Sequence, residues 1–308
     1  MKIRLLNREE VTKIYREKMP DDFAAGEIKP LERILELSKR EQYFCYGMFE
    51  ETPDQETMVG YGFLVPSGER DAVLLDYFAV TDGMRGRGYG SRCFAALKEE
   101  IAKKELGNLI LEVENPRFGA DGKERELRRR RIAFYIRNGM TLTHLRIFLY
   151  QVEYLVMISD KGQMKKAADQ IYHVYQVLLK PDKIKTRLRI STNIRCVLCM
   201  AGGQNASCDV KKDENGILIV NGVGGACGSE RLKAFKGFLE KNDIEPEECV
   251  VFADTDEDIG LLQYAGIGVT SESAPSAAKN AANYIIRSGK RSGAAEGMEE
   301  ILQILTRL

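Results

Sequence analysis

The six residues Arg85-Gly86-Arg87-Gly88-Tyr89-Gly90 carry the densest chemical signal in this chain. They fall between a strand-like run and an amphipathic run. Consecutive main-chain N–H groups of the turn and of the first helical residues, through Ser91, can therefore converge on one anion. Glycines let that main chain approach a ligand closely. A dinucleotide site would need such a turn after the first strand of a βαβ unit, and a Walker-type site would need Gly-Lys-Ser/Thr. Neither pattern is present. A second cluster, Asp254-Thr255-Asp256-Glu257-Asp258, follows the apolar run 249–253, where an α/β sheet opens its ligand crevice, and its carboxylates suit Mg²⁺. Cys196-x-x-Cys199 with Cys208 and Cys227 has the count of a four-thiolate zinc site. The first pair, however, sits in Ile-Arg-Cys-Val-Leu-Cys-Met, which reads as a buried strand without a glycine knuckle. His144 and His173 have no metal partner in the sequence around them, so a plain structural role is expected for each.

The composition narrows the classes. Among 308 residues, 46 Lys+Arg balance 46 Asp+Glu, which leaves no cationic excess for a general nucleic-acid binder. The basic run Arg128–Arg131 reads as a solvated face, because Glu124 and Glu126 can pair with it at helical spacing. No apolar stretch approaches the ~18 residues of a membrane span. The charged start of the chain is unlike a secretory leader, and the cysteines are odd in number and scattered. A cytoplasmic protein with reduced thiols is expected.

The length suggests two domains. Hydrophobic spacing predicts a strand at 2–6, two helices, a meander of strands at 42–49, 58–65 and 71–80, then the glycine turn and a helix carrying Cys93, Phe94, Leu97 and Ile101 on one face. A strand at 108–114, a helix ending near Gly139 and strands at 140–150 and 153–159 complete a mixed, mostly antiparallel sheet flanked by helices. A helix from Met164 to Leu179 and a charged stretch over 182–189 form the expected connection. From about 190, short apolar strands alternate with helices, the last at 294–305, as in a smaller parallel α/β layer. The expected domains are thus 1–160 and 190–308, joined by 161–189.

This order of elements resembles the GNAT superfamily of acetyl-CoA-dependent N-acetyltransferases. Arg85, Gly88 and Gly90 match that family's Arg/Gln-x-x-Gly-x-Gly/Ala loop. Leu75-Asp-Tyr-Phe-Ala-Val80 is similar to its pantetheine-gripping strand, and Phe134-Tyr-Ile-Arg-Asn-Gly-Met140 to its Phe/Leu-Tyr-x-x-x-Gly-Phe segment. The resemblance spans about residues 1–158. It implies that Phe78, Ala79 and Val80 contact the pantetheine of acetyl-CoA, and that Arg85, Gly86, Arg87, Gly88, Tyr89, Gly90 and Ser91 hold its diphosphate. The connection 116–131 is longer and more charged than the family's.

Acetyl transfer to a primary amine needs a base, because an amine of pKa ~10.4 is protonated at neutral pH. Glu112 and Glu114 alternate onto one face of their strand, with Asp76 on the next strand; Glu112 is the expected base. The departing thiolate needs a proton, and Tyr135, in the family-like segment, is placed to give it. The acceptor is a small-molecule or peptide amine. No nucleic-acid or membrane partner is expected, and a homodimer is left open.

The acidic cluster, with Ala265-Gly-Ile-Gly-Val269 and the run 288–302, resembles the C-terminal half of haloacid-dehalogenase-type phosphatases. Asp254 and Asp258 match that family's two aspartates and are the expected Mg²⁺ ligands, whereas Ala253 and Glu257 replace its Gly and Asn. The nucleophilic Asp-x-Asp has no counterpart, since the strand before Met200 leads into Cys-Met-Ala-Gly-Gly. A truncated, non-hydrolytic module is expected. The alternatives are a Mg²⁺-dependent phosphatase and a non-enzymatic CoA-binding sensor.

Overall fold

The structure, a computed structural model, describes residues 1–52, 55–149, 152–200, 209–213, 216–225 and 227–286. Two compact units divide the chain, one of residues 1–112, 134–140 and 158–187, the other of residues 113–133, 141–157 and 188–308.

In the first unit, β1 (Lys2–Leu5) is followed by α1 (Arg8–Glu17), the short α2 (Met19–Asp22) and α3 (Leu31–Lys39). Asn7 opens α1 with a reciprocal cap: its Oδ1 accepts the Glu10 N–H at 2.9 Å, and the Glu10 carboxylate accepts the Asn7 N–H at 2.8 Å. Next come β2 (Phe44–Thr52), β3 (Gln55–Pro66), β4 (Ala72–Val80), α4 (Tyr89–Lys103) and β5 (Asn108–Glu114). The unit also takes in the C-terminal turn of α5 (Gly122–Arg137), and α6 (Ala167–Leu178) and α7 (Pro181–Arg187). The charged stretch after Leu179 is thus helical: Pro181 takes the first position of α7, where its missing N–H costs no bond.

Strands β1 to β4 pair antiparallel in chain order, and β5 joins β4 in parallel. Two irregularities set the course of β4. Phe63 faces Tyr77 and Leu64 faces Leu75, so Asp76 is an extra residue on β4, a β-bulge. The pairing of β4 with β5 runs from Ala72↔Asn108 to Leu75↔Leu111 and stops there, although both strands continue. Below this point the core is dense: Tyr61, Phe63, Phe94 and Leu97 are fully buried. Gly62 admits Leu97, whose Cδ1 lies 2.5 Å from where a β-carbon would stand.

In the second unit, β6 (Thr141–Leu149) lies between β7 (Val152–Ile158) and β8 (Leu188–Thr192), antiparallel to β8. The remaining strands are β9 (Cys196–Cys199), β10 (Asp209–Lys212), β11 (Leu218–Asn221), β12 (Cys249–Phe252), β13 (Ile267–Ser271) and β14 (Tyr284–Ile286). They form one sheet in the order β10-β11-β9-β12-β13-β14, parallel except for the β10–β11 hairpin. Helices α8 (Gly228–Lys241), α9 (Ile259–Tyr264) and α10 (Ser276–Ala281) alternate with its strands, as the apolar spacing requires. Cys196 and Cys199 belong to different core clusters and are both buried, so the pair is strand packing as expected. The helix expected over 294–305 lies outside the described residues. Among the described residues no helix is long and apolar enough to cross a membrane.

The arginine run is solvated only in part. Arg130 pairs with Glu126 at helical spacing and is largely exposed, but Arg128, 11% exposed, pairs with Glu124 and Glu114. Arg129 bonds Glu245, and Arg117 reaches Asp243 at 2.5 Å and Glu248 at 3.2 Å. Glu248 is buried, also meets Arg195 at 3.3 Å, and accepts the Glu245 N–H at 2.9 Å. Removing that carboxylate takes the buried counter-charge from Arg117 and Arg195, leaves both to Asp243, and frees the Glu245 N–H. Glu248→Ala should therefore lose roughly 3 kcal/mol in urea unfolding, and a loss below about 1 kcal/mol would show the network to be ornamental.

Candidate active site

The glycine turn meets the end of β4 at the start of α4. Gly86 and Gly88 have φ of +75° and +80°, a left-handed backbone that other residues adopt with strain. A β-carbon at Gly83, Gly86 or Gly88 would meet no atom within 4 Å, so the turn faces open space and is not plugged. Gly90 differs. Its missing side chain leaves room for Phe134, whose ring lies 3.2 Å from the would-be β-carbon. Gly88 ends the turn as the residue that caps α4, with no side chain to accept from it, so the first turn of the helix presents N–H groups that the helix itself does not use. The Arg85 side chain bends back instead of outward: its Nε donates to the Val80 carbonyl at 3.1 Å, and its guanidinium bonds Asp22. It braces the turn from behind and leaves the open space beside the glycines unfilled.

Phe78, Ala79 and Val80 lie on β4 beyond the bulge, paired with β3 on one edge and past the end of the ladder with β5 on the other. Phe78 stacks on Phe134 with centroids 6.5 Å apart, and Phe94 packs edge-on against both. Tyr135 is half-buried on the last full turn of α5, its ring 5.4 Å from Phe94 and 5.1 Å from Phe134. The turn, the free stretch of β4 and Tyr135 therefore share one aromatic cluster.

The three candidate carboxylates have different surroundings. Glu114 is held by Arg128 at 3.1 Å and Arg131 at 2.7 Å. Asp76, the bulge residue, accepts Lys29 Nζ at 2.6 Å and the Tyr43 hydroxyl at 2.5 Å, and its side chain is 7% exposed. Burial would pull the Lys29 ammonium down, but the Asp76 carboxylate outweighs it and holds the ammonium above its ordinary range. Burial, reinforced by Asp76, pushes the Tyr43 hydroxyl well up. Glu112 accepts a 2.6 Å hydrogen bond from Tyr175. Burial pushes its carboxyl up to about 7, against the opposing pull of Tyr175 and Lys29. A carboxyl raised that far can exchange a proton near neutrality. Nothing in the sequence singles out Lys29, Tyr43 or Tyr175 for the site. Tyr175 is visible there only as one apolar-face residue of its helix, with no sign of where its hydroxyl goes.

In the second unit, Asp254 Oδ1 accepts the Thr270 hydroxyl at 2.9 Å and the Ser271 N–H at 2.7 Å. Asp258 accepts Arg231 at 3.0 Å and the Thr255 hydroxyl at 2.8 Å, and both members of the Asp258–Arg231 pair are buried. A guanidinium thus already neutralises Asp258. That donor set does not fit a resident Mg²⁺, which needs carboxylate oxygens not committed to another cation.

Residues 8–135 match the acetyltransferase (GNAT) family, and residues 227–298 match the haloacid dehalogenase-like hydrolases. Among solved structures, a protein from Bacteroides thetaiotaomicron described as a GNAT-family acetyltransferase is 20% identical, with a TM-score of 0.45 over 58% of this chain and 100% of its own. The ribosomal-protein-alanine N-acetyltransferase of Brucella melitensis is 20% identical, with a TM-score of 0.38 over 51% of this chain and 98% of its own. A Bacillus subtilis acetyltransferase solved with CoA is 13% identical, with a TM-score of 0.33 over 52% and 97%. The two family matches thus divide the chain into an acetyltransferase (GNAT)-like region and a haloacid-dehalogenase-like region that follows it.

The raised Glu112 carboxyl has a consequence for stability. A carboxyl harder to ionise in the folded chain than in the unfolded one stabilises the fold fully below pH ~4.3, and that contribution is lost as pH rises through about 7. The melting temperature of the wild type relative to Glu112→Gln should accordingly fall between pH 4.5 and 7.5. A constant difference across that range would mean that Glu112 is not the group titrating.

Proposed function

We propose that the N-terminal domain transfers acetyl from acetyl-CoA to a primary amine by direct attack in a ternary complex. The observation that carries this reading is the parting of β4 from β5 at Leu75↔Leu111, beside an open glycine turn at the head of α4. A strand edge without a partner is a ready acceptor and donor of main-chain hydrogen bonds, and the pantetheine arm carries amides of the same kind. On this reading Phe78, Ala79 and Val80 bind the arm, and the main chain from Arg85 to Ser91 binds the diphosphate. The amine loses its proton to Glu112 and its nitrogen bonds to the thioester carbonyl carbon. Main-chain N–H groups of β4 stabilise the charge that gathers on the oxygen. The carbon–sulfur bond then breaks, the thiolate takes the Tyr135 proton, and the new amide nitrogen gives its second proton to the tyrosinate. The acceptor is a small molecule or a peptide; Lys29, Asp76 and Tyr43 give its side of the site polar groups that are already paired with each other.

The C-terminal segment is a non-hydrolytic module on this reading. The Asp258–Arg231 pair supports this, together with the missing nucleophile, because an ion pair closed on itself leaves nothing to position a phosphate ester.

Acetyl-CoA should raise the melting temperature, and Gly88→Glu, which sets a carboxylate where the diphosphate would lie, should abolish the shift. An unchanged melting curve at saturating acetyl-CoA would refute cofactor binding. Tyr135→Phe should lower kcat far more than it weakens cofactor binding, and kcat/KM should rise with pH through about 7 in the wild type but not in Glu112→Gln. Equal kcat in Tyr135→Phe and wild type would remove that hydroxyl from the mechanism.

A further inference from the structure

His173, which has no metal partner in its own stretch of sequence, acquires two in the fold. The turn between β3 and β4 brings Glu69 and Asp71 beside α6, and one donor atom from each of the three residues lies within 4.8 Å of the other two. His173 Nδ1 is 3.3 Å from Asp71 Oδ2 and 3.8 Å from Glu69 Oε2. The first separation is long for an N–H···O bond. It does match the edge of a tetrahedron around zinc, where donors at about 2.0–2.2 Å stand roughly 3.3–3.5 Å apart.

The ligands are held from outside the cluster. The buried Ser67 donates its hydroxyl to Asp71 Oδ1 at 2.6 Å, which leaves Oδ2 turned toward His173. One helical turn before His173, the buried Gln170 donates to the Asp71 carbonyl at 3.1 Å and accepts the Asn108 side-chain N–H at 3.0 Å. Such outer partners fix the angle at which first ligands meet a metal. Glu69 and His173 also line a cleft of about 390 Å³, together with Gly68, Arg40 and Lys180. A fourth coordination position therefore has access to water.

We propose that Glu69, Asp71 and His173 form a three-ligand site for a divalent transition metal of the zinc class. One imidazole and two carboxylates favour such an ion over Mg²⁺ or Ca²⁺, which take oxygen donors alone. The metal clips α6 to the β3–β4 turn, on residues distinct from the glycine turn and Glu112. The site is independent of the acetyl-transfer reading.

The test uses the full-length chain without an affinity tag, stripped with a chelator and titrated with ZnCl₂ by calorimetry. One equivalent should bind, and Zn²⁺ should raise the melting temperature. Affinity should fall about tenfold or more in His173→Ala and also in Glu69→Gln, a change in an exposed turn residue that leaves the fold intact. Cys227→Ser, which removes the one exposed thiol among the described residues, should leave affinity unchanged. Zinc binding that is equal in wild type and Glu69→Gln, or that disappears in Cys227→Ser, overturns the proposal, as does the absence of binding.

Discussion

The candidate site depends on one extra residue. Asp76 has no opposite number on β3, and a strand with a bulge bends and twists more than its neighbours. The parallel ladder to β5 stops one residue earlier, at Leu75. From there β4 keeps a partner on one side only. Polar main-chain groups inside a fold must find partners, and a strand edge that parts from its neighbour beside an open turn leaves such groups available. The glycines, the aromatic cluster and the carboxylates gain their roles from that parting.

The bulge also explains the charges around it. It turns the Asp76 carboxylate into a buried position, where an uncompensated charge would be costly, and Lys29 and Tyr43 meet it there. Once Asp76 is paired with Lys29, that ammonium has less to offer the next carboxylate on β5. Among the described residues Glu112 has the Tyr175 hydroxyl at hydrogen-bond distance and a weaker pull from Lys29, and burial raises its proton affinity most. Three carboxylates that look alike as letters thus become the counter-ion of an ammonium, a partner of two arginines and a buried acid held by a tyrosine.

The C-terminal segment shows the converse. Asp254 and Asp258 stand at the carboxyl ends of a parallel sheet, the place where such sheets bind ligands. Asp258 gives one oxygen to Arg231 and the other to Thr255, and Asp254 gives Oδ1 to Thr270 and Ser271. A constellation that suggests metal chemistry by type and spacing is here an internal network. Arg117, and Arg129 of α5, are spent in a similar way, on the acidic turn from Asp243 to Glu248.

Much of this protein was legible in its residues. Apolar spacing gave the meander, the helices and the parallel layer, because burial of one face imposes a period of two or 3.6 on any chain that folds. The loop from Arg85 to Gly90 was legible because only glycine tolerates its backbone and allows a close approach. The bulge at Asp76 left no mark, since one unpaired residue changes no periodicity. The choice among Asp76, Glu112 and Glu114 was equally hidden, because a carboxylate's proton affinity belongs to its neighbours in space. His173 and Glu69 lie more than a hundred positions apart, and their meeting is a product of how α6 rests on the β3–β4 turn. Local patterns can declare which segments become strands, helices and turns; pairing between distant side chains is decided only when those segments pack.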